Sequence, residues 1–252
     1  MGVGSPLKLV INGKAHEVNV SSVDTLLAVL RDDLGLKSVR GGCDSAQCGS
    51  CTVLLEGKSV KSCSVLALQA NGQSVVTVDG LAEAKGSCSL QSHFATQHAL
   101  QCGFCIPGIL MRAKALLDKA ADQGKVLDRD DVARHMGAHL CRCTGYVKIL
   151  DAVEALATGE VAVALPQGGI GTNVTKVEAH QLALGDRDYV DDLFPDGLLH
   201  AALRLADHAR ADAGHQDVLR VSVRAHPKVQ SRRNATGGAA HVGYGRISAA
   251  GR

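Results

Sequence analysis

Apolar and polar residues alternate from residue 6 to about residue 80. Leu7, Leu9 and Ile11 share one face, Asn12-Gly13 supplies a tight turn, and Val18 and Val20 resume the alternation, so the chain opens with a β-hairpin. Asp24 then reads as a helix cap ahead of Leu26, Leu27, Leu30 and Leu34, whose spacing lines one helical face, and Gly35 stops that helix. A glycine-rich loop follows. Thr52 to Leu55, the turn Glu56-Gly57-Lys58 and Ser59 to Cys63 predict a second hairpin, and Val75 to Val78 a last strand.

From about residue 87 the period changes from two to three or four. Leu90, Phe94 and His98 mark one helix; Ile109, Leu110, Ala113, Leu116 and Leu117 mark a second, with Pro107 near its first turn. Asp128 to His139 carries Val132 and Met136 inward, and Tyr146 to Thr158 carries Ile149, Val153 and Leu156, ending at Gly159. The fold class is therefore α+β. A ferredoxin-like β-grasp domain over residues 1–82 precedes a four-helix bundle over residues 83–164.

The candidate chemistry lies in the cysteines. Eight of the nine form two sets of four. Cys43, Cys48 and Cys51 lie in one glycine-rich loop as C-x4-C-x2-C, and Cys63 follows the second hairpin, which is the plant-type [2Fe–2S] spacing. Cys102 and Cys105 fall between the first two predicted bundle helices, Cys141 and Cys143 between the last two, so both loops can meet at one end of the bundle. Gly41, Gly42 and Gly49 let the backbone approach a cluster and offer it N–H groups. Structural zinc also takes four cysteines, but its usual knuckles are two C-x2-C pairs; a zinc-stabilised interaction module stays open as the alternative. Cys88 reads as a small buried hydrophobe, and His93, His98 and His135 as histidines satisfied by solvent or hydrogen bonds.

Composition narrows the classes. A hydrophobic content of 46% excludes wholesale disorder, and no apolar run approaches the roughly 20 residues needed to cross a bilayer. Lys plus Arg number 27 against 25 Asp plus Glu, with 2% aromatic residues, so nothing favours nucleic acid as a partner. The N-terminus has no basic stretch followed by an apolar run, which points to the cytoplasm and to reduced, metal-ligating thiols.

The segments GGCDSAQCGSCTVLLEGK, QCGFCIPG and LCRCTGY, in that order, resemble the iron–sulfur portion of the molybdenum hydroxylases, the xanthine dehydrogenase and aldehyde oxidoreductase family, over residues 6–160. The resemblance implies an electron-transfer module with two [2Fe–2S] clusters. Cys43, Cys48, Cys51 and Cys63 would hold one, and Cys102, Cys105, Cys141 and Cys143 the other. Gln101 and Cys143 match positions that approach the pterin. The implied partners are a molybdopterin-binding catalytic domain or subunit and a FAD-binding subunit or external electron acceptor. Ile106 stands where the family commonly has Thr, and His139 where Asn is common; neither change removes a ligand.

Residues 165–171 read as a linker, and the stretch to residue 212 resembles the opening of the family's molybdenum subunit. The catalytic base of that subunit would lie beyond anything seen here, so the chain is not catalytically complete alone. Val177, Leu182, Leu184, Leu193, Phe194, Leu198 and Leu199 are expected to lack a packing partner, and trimming by proteases is expected to stop near residue 165. Residues 213–252 are rich in Arg, Gly, Ala and His, and read as an irregular basic tail or the product of truncation or frameshift, which leaves an inactive fragment as a further alternative.

Overall fold

The computed structural model describes residues 4–83, 89–159, 168–170, 172, 174–193, 195, 199–205 and 219–225. Strands β1 (Ser5–Ile11) and β2 (Lys14–Val20) pair in antiparallel register, with Leu7 opposite Val18 and Ile11 opposite Lys14. Their turn places Asn12 and Gly13 at φ 50° and 82°, the left-handed pair that a two-residue hairpin requires.

The first helix, α1 (Leu26–Ala28), continues into a wider turn over Val29–Asp33. Its cap is Thr25, whose hydroxyl accepts from the Ala28 amide at 3.2 Å; Asp24, the expected cap, instead accepts from the Ser21 amide one turn earlier. Both residue types can cap, and only the backbone path decides between neighbours. Strands β3 (Thr52–Leu55) and β4 (Lys58–Lys61) form the second hairpin. Its turn is the two residues Glu56 and Gly57, so Lys58 belongs to β4 and Cys63 to a 3-10 turn over Ser62–Ser64.

Strand β5 (Ser74–Val76) is shorter than expected and is followed by α2 (Val78–Glu83). The strand stops where the Thr77 amide leaves the ladder and donates to Asn12 Oδ1 at 2.9 Å. The sheet runs in the order β2-β1-β5-β3-β4, parallel only between β1 and β5. Strand β3, between β5 and β4, is buried on both faces: Val53 faces the sheet's own core of Leu7, Leu9, Ile11, Leu26 and Leu30, while Leu54 belongs to the helical core behind it.

That second core is built by α3 (Ser89–Thr96), α4 (Ile106–Asp122), α5 (Arg129–Met136) and α6 (Tyr146–Ala157). Pro107 lies in the first turn of α4, and Asp128 caps α5 by accepting from the Asp131 amide at 2.7 Å. His98 lies beyond α3 at φ 56°. The expected four helices do not close this core alone: Val78 and Leu81 of α2 join it, as do Ala179, Leu182 and Ala183 of α7 (Ala179–Leu184).

Helix α7 corrects, for Leu182, the expectation that the apolar residues of 168–212 lack a partner, while Leu193 is 54% exposed. Leu182 is 2% exposed, although Val177 is 82% exposed. Phe194, Leu198, Cys88 and most of the 165–171 linker lie outside the described residues. Met1–Asp188 form one compact unit and Tyr189–Arg252 a second. In the second unit β6 (Leu199–Leu205) pairs antiparallel with β7 (Leu219–Ala225), so this part is not wholly irregular. The period-two alternation of RVSVRA accounts for β7, and the basic composition masks it.

Candidate metal centres

The loop from Gly41 to Cys51 is coiled tightly by residues in left-handed backbone: Asp44, Ala46 and Gly49 lie at φ 50°, 58° and 77°. Coiling turns its amides inward. The Cys48 amide donates to Cys43 Sγ at 3.3 Å. Amides of Cys48, Ser45 and Gln47, with the Ser45 hydroxyl, bring the Cys43 thiol down to about 6. Lys61 Nζ fastens the same loop to β4 by donating to the Ala46 carbonyl at 2.6 Å. A Cβ on Gly42 would lie 2.9 Å from Cys48 Sγ and 3.4 Å from the Phe104 ring, which is why a glycine stands there.

Cys51 lies at the other end of the loop, where burial pushes its thiol up to about 11. Its carbonyl accepts from Ser62 Oγ at 2.8 Å and from the Ser62 amide at 3.2 Å, and this anchors the 3-10 turn that brings Cys63 to its side.

The second set sits at helix ends. Cys105 is the residue before α4, and burial raises its thiol strongly, reinforced by the neighbouring Cys141. Cys102 is raised as well, by burial first and then by Cys143 beside it. The Cys141 amide donates to the Tyr146 hydroxyl at 2.8 Å, and the Gly145 amide approaches Cys141 Sγ at 3.5 Å. Gln101 is exposed, its amide nitrogen 3.4 Å from where a Cβ on Gly145 would be, so it borders the 141–146 loop that also carries the partly exposed Cys143.

Three pairs of thiols lie side by side, Cys51 with Cys63, Cys102 with Cys143 and Cys105 with Cys141, and the Cys48 backbone amide reaches Cys43 Sγ. Among the described residues no three His, Cys, Asp or Glu side chains converge to hold one metal ion. Four cysteines gathered in each of two places would hold a two-iron core, which would supply one-electron chemistry there. The eight residues present thus fit two [2Fe–2S] clusters.

The two sets are also in contact. The Leu140 amide donates to the Cys48 carbonyl at 2.9 Å. A Cβ on Gly108, in the first turn of α4, would overlap the Gly49 carbonyl. Arg40, 1% exposed, lies over the Phe104 ring at 5.7 Å and donates to the carbonyls of Gly185 and Arg187, both at 2.9 Å. One buried guanidinium thus touches the approach to the first loop, the middle of the second, and the chain after α7. Spacing gave no sign of Arg40. Nor did it mark His139 as more than a departure from a family pattern, yet His139 is buried between the loops, and burial, with Arg112 and Lys61 nearby, lowers its pKa to about 4. Of the remaining histidines, His135 Nδ1 meets the Asp131 carbonyl at 2.8 Å, and His93 is buried.

Residues 9–89 match the 2Fe-2S iron-sulfur cluster binding domain and residues 77–154 the [2Fe-2S] binding domain. The chain is thus of the class of two-cluster iron–sulfur proteins. The 6-hydroxypseudooxynicotine dehydrogenase complex subunit beta of Paenarthrobacter nicotinovorans is 44% identical over 146 residues, covering 58% of this chain and 89% of that protein. The nicotinate dehydrogenase small FeS subunit of Eubacterium barkeri is 42% identical over 147 residues, covering 58% and 91%. The crystal structure of the aldehyde oxidoreductase from Desulfovibrio desulfuricans superimposes with a TM-score of 0.72 at 36% identity, over 81% of this chain and 24% of that one. The chain belongs to the family of [2Fe–2S] small subunits of the molybdenum hydroxylases, and is an electron-transfer module. No described helix is long and apolar enough to cross a membrane.

Proposed function

We propose that this chain relays electrons from a molybdopterin centre, where a purine, aldehyde or N-heterocycle is hydroxylated, to a flavin or an external acceptor. The observation that carries this reading is the gathering of eight cysteines into two neighbouring loop systems, with Cys51 beside Cys63, Cys102 beside Cys143, Cys105 beside Cys141 and the Cys48 amide on Cys43 Sγ. Cys43, Cys48, Cys51 and Cys63 would hold one cluster, and Cys102, Cys105, Cys141 and Cys143, at one end of the bundled helices, the other. A bound [2Fe–2S] cluster supplies one-electron redox chemistry and no bond-making.

The chain's own residues set the conditions for it. Amides of Ser45, Gln47 and Cys48 face Cys43 Sγ and stabilise it as the thiolate. Apolar α4 residues keep water from Cys105. Gln101 and Cys143 both reach the surface and would be the residues that meet the pterin of a catalytic domain or subunit. The relatives named above are subunits of a 6-hydroxypseudooxynicotine dehydrogenase complex and a nicotinate dehydrogenase, and the solved neighbour is an aldehyde oxidoreductase, which supports a partner that sets substrate choice. The small subunits match 58% of this chain, whereas the solved aldehyde oxidoreductase matches 81%. This supports a segment after residue 160 that continues toward a molybdenum domain, with no flavin domain between.

Purified protein should be brown, bleach with dithionite and contain about four irons per chain, two for each cluster. A colourless protein carrying zinc would establish the structural module instead.

A further inference from the structure

We propose that His139 is the positioning residue for electron transfer between the two cluster seats: its ring wedges the 49–52 turn against residues 139–141 and so keeps the Cys48 carbonyl hydrogen-bonded to the Leu140 amide. The inference rests on the two-cluster reading above. Its basis is geometric. His139 is 3% exposed, with Nε2 3.1 Å from Thr52 Oγ1. Thr52 has one hydroxyl hydrogen, and it is donated to the Gly49 carbonyl at 2.7 Å. The oxygen is thereby left to accept from Nε2–H.

The backbones of Gly108 and Gly49 also meet the ring, so it is enclosed by both loop systems. A ring enclosed this way holds its neighbours by its shape as well as by its Nε2 hydrogen bond. Shape is what the loop uses. A Cβ on Gly49 would lie 2.5 Å from the ring's Cδ2 and 2.9 Å from its Cγ and Nε2, so the ring fills the space that the glycine leaves. On the other side of the ring's own backbone, the Tyr146 hydroxyl accepts from the Cys141 amide at 2.8 Å and reaches the His139 carbonyl at 3.5 Å. The stretch 139–141 is held from both sides.

From Cys48 the connection to Cys141 runs through the Cys48 carbonyl, one hydrogen bond of 2.9 Å, and the backbone of Leu140. Electron tunnelling decays faster through space than along bonded atoms, so loss of that single contact should weaken coupling disproportionately. In the step itself one electron leaves one centre and arrives at the other, and no bond forms or breaks.

The test uses the full 252-residue chain, loaded anaerobically with iron and sulfide, as wild type, His139→Ala, His139→Gln and Thr52→Val. Low-temperature EPR of the fully reduced protein reads the magnetic splitting between the two centres, and a redox titration reads both midpoint potentials. Loss of the splitting in His139→Ala at unchanged iron content, with partial recovery in His139→Gln and a smaller loss in Thr52→Val, supports the proposal. Wild-type splitting and potentials in iron-replete His139→Ala overturn it, even if that variant melts earlier. Should His139→Ala fail to load iron, His139→Gln and Thr52→Val decide, and wild-type spectra in both overturn it. A wild type without iron is a failure of the two-cluster reading itself, seen before any variant is made.

Discussion

Cys43 and Cys105 occupy opposite thiol environments. Cys43 is partly exposed in a loop whose amides face its sulfur, and its pKa falls to about 6; Cys105 is buried before α4, where burial pushes its thiol far the other way. Within the loop seat Cys43 is stabilised as a thiolate before any metal arrives, whereas Cys51 is pushed up by burial as Cys105 is. At the raised thiols, Cys51 in the loop seat and Cys102 and Cys105 in the helical one, the metal itself must displace the protons, so loading there is tied to pH and to folding. One chain thus holds the same chemistry by two routes, backbone N–H groups in one region and packed helix ends in the other.

Ligand removal breaks the comparison most directly. Cys48→Ser should abolish the first centre and take the iron content from about four to about two, while the second centre keeps its EPR signal. Cys105→Ser should do the reverse and also lower stability, since its sulfur lies in the helical core. In wild type the loop centre should have the higher midpoint potential, because amides aimed at sulfur offset the charge gained on reduction. A redox titration followed by EPR that gives the opposite order would sink this account of the two seats.

The contact between the regions is the next target. Gly108→Ala would drive a methyl group into the Gly49 carbonyl, which is backbone and has little room to yield. Overpacking of this kind costs about 3 kcal/mol, visible as an earlier thermal transition, and both EPR signals should broaden together. Broadening confined to the helical centre would mean that the two regions respond separately.

Arg40 gives a smaller effect. Its hydrogen bonds hold the Gly185 and Arg187 carbonyls, so the peptide bond after Arg187 is shielded from trypsin. Arg40→Met should cost about 2 kcal/mol, the range for hydrogen bonds to a charged group, and speed cleavage after Arg187 several-fold. Digestion products are read by mass spectrometry. The sequence alone sets the limit of protection near residue 165, whereas Leu182 lies with Phe94 and Leu110 in one core, a long-range relation that hydropathy cannot reveal, and the digest decides between the two limits.

The division between legible and hidden features follows the range of the interactions. Strand alternation around Leu7 and Val18, the Asn12-Gly13 turn, Pro107 and Gly159 act locally and could be read directly. Asp24 and Thr25 could each cap α1, and local sequence cannot choose. The strand through Val78 fails because Asn12, 65 residues away, takes the Thr77 amide. At the candidate site, spacing singled out the eight cysteines but not which thiols pair. It was silent on Arg40 and treated His139 only as a substitution, because their roles arise where distant segments meet.

The smallest effect tests whether the helical region's charged surface matters to its seat. Asp131 precedes the 139–143 stretch by two helical turns, and Lys125, then Arg134, hold its carboxyl below the usual range. A depressed folded pKa stabilises the native state above the unfolded value of about 4, and that contribution is lost as pH falls through the folded value. Stability should therefore decline below about pH 4, and Asp131→Asn should flatten this acid limb while leaving neutral-pH EPR spectra unchanged. Lys125 and Arg134 are half-exposed or more, so salt should flatten it as well. The measurement is the thermal midpoint across pH, with urea unfolding at each end. An acid limb identical in Asp131→Asn and wild type would assign the loss to other carboxylates, and a change in the second centre's EPR signal would tie this surface pair to the cluster seat itself.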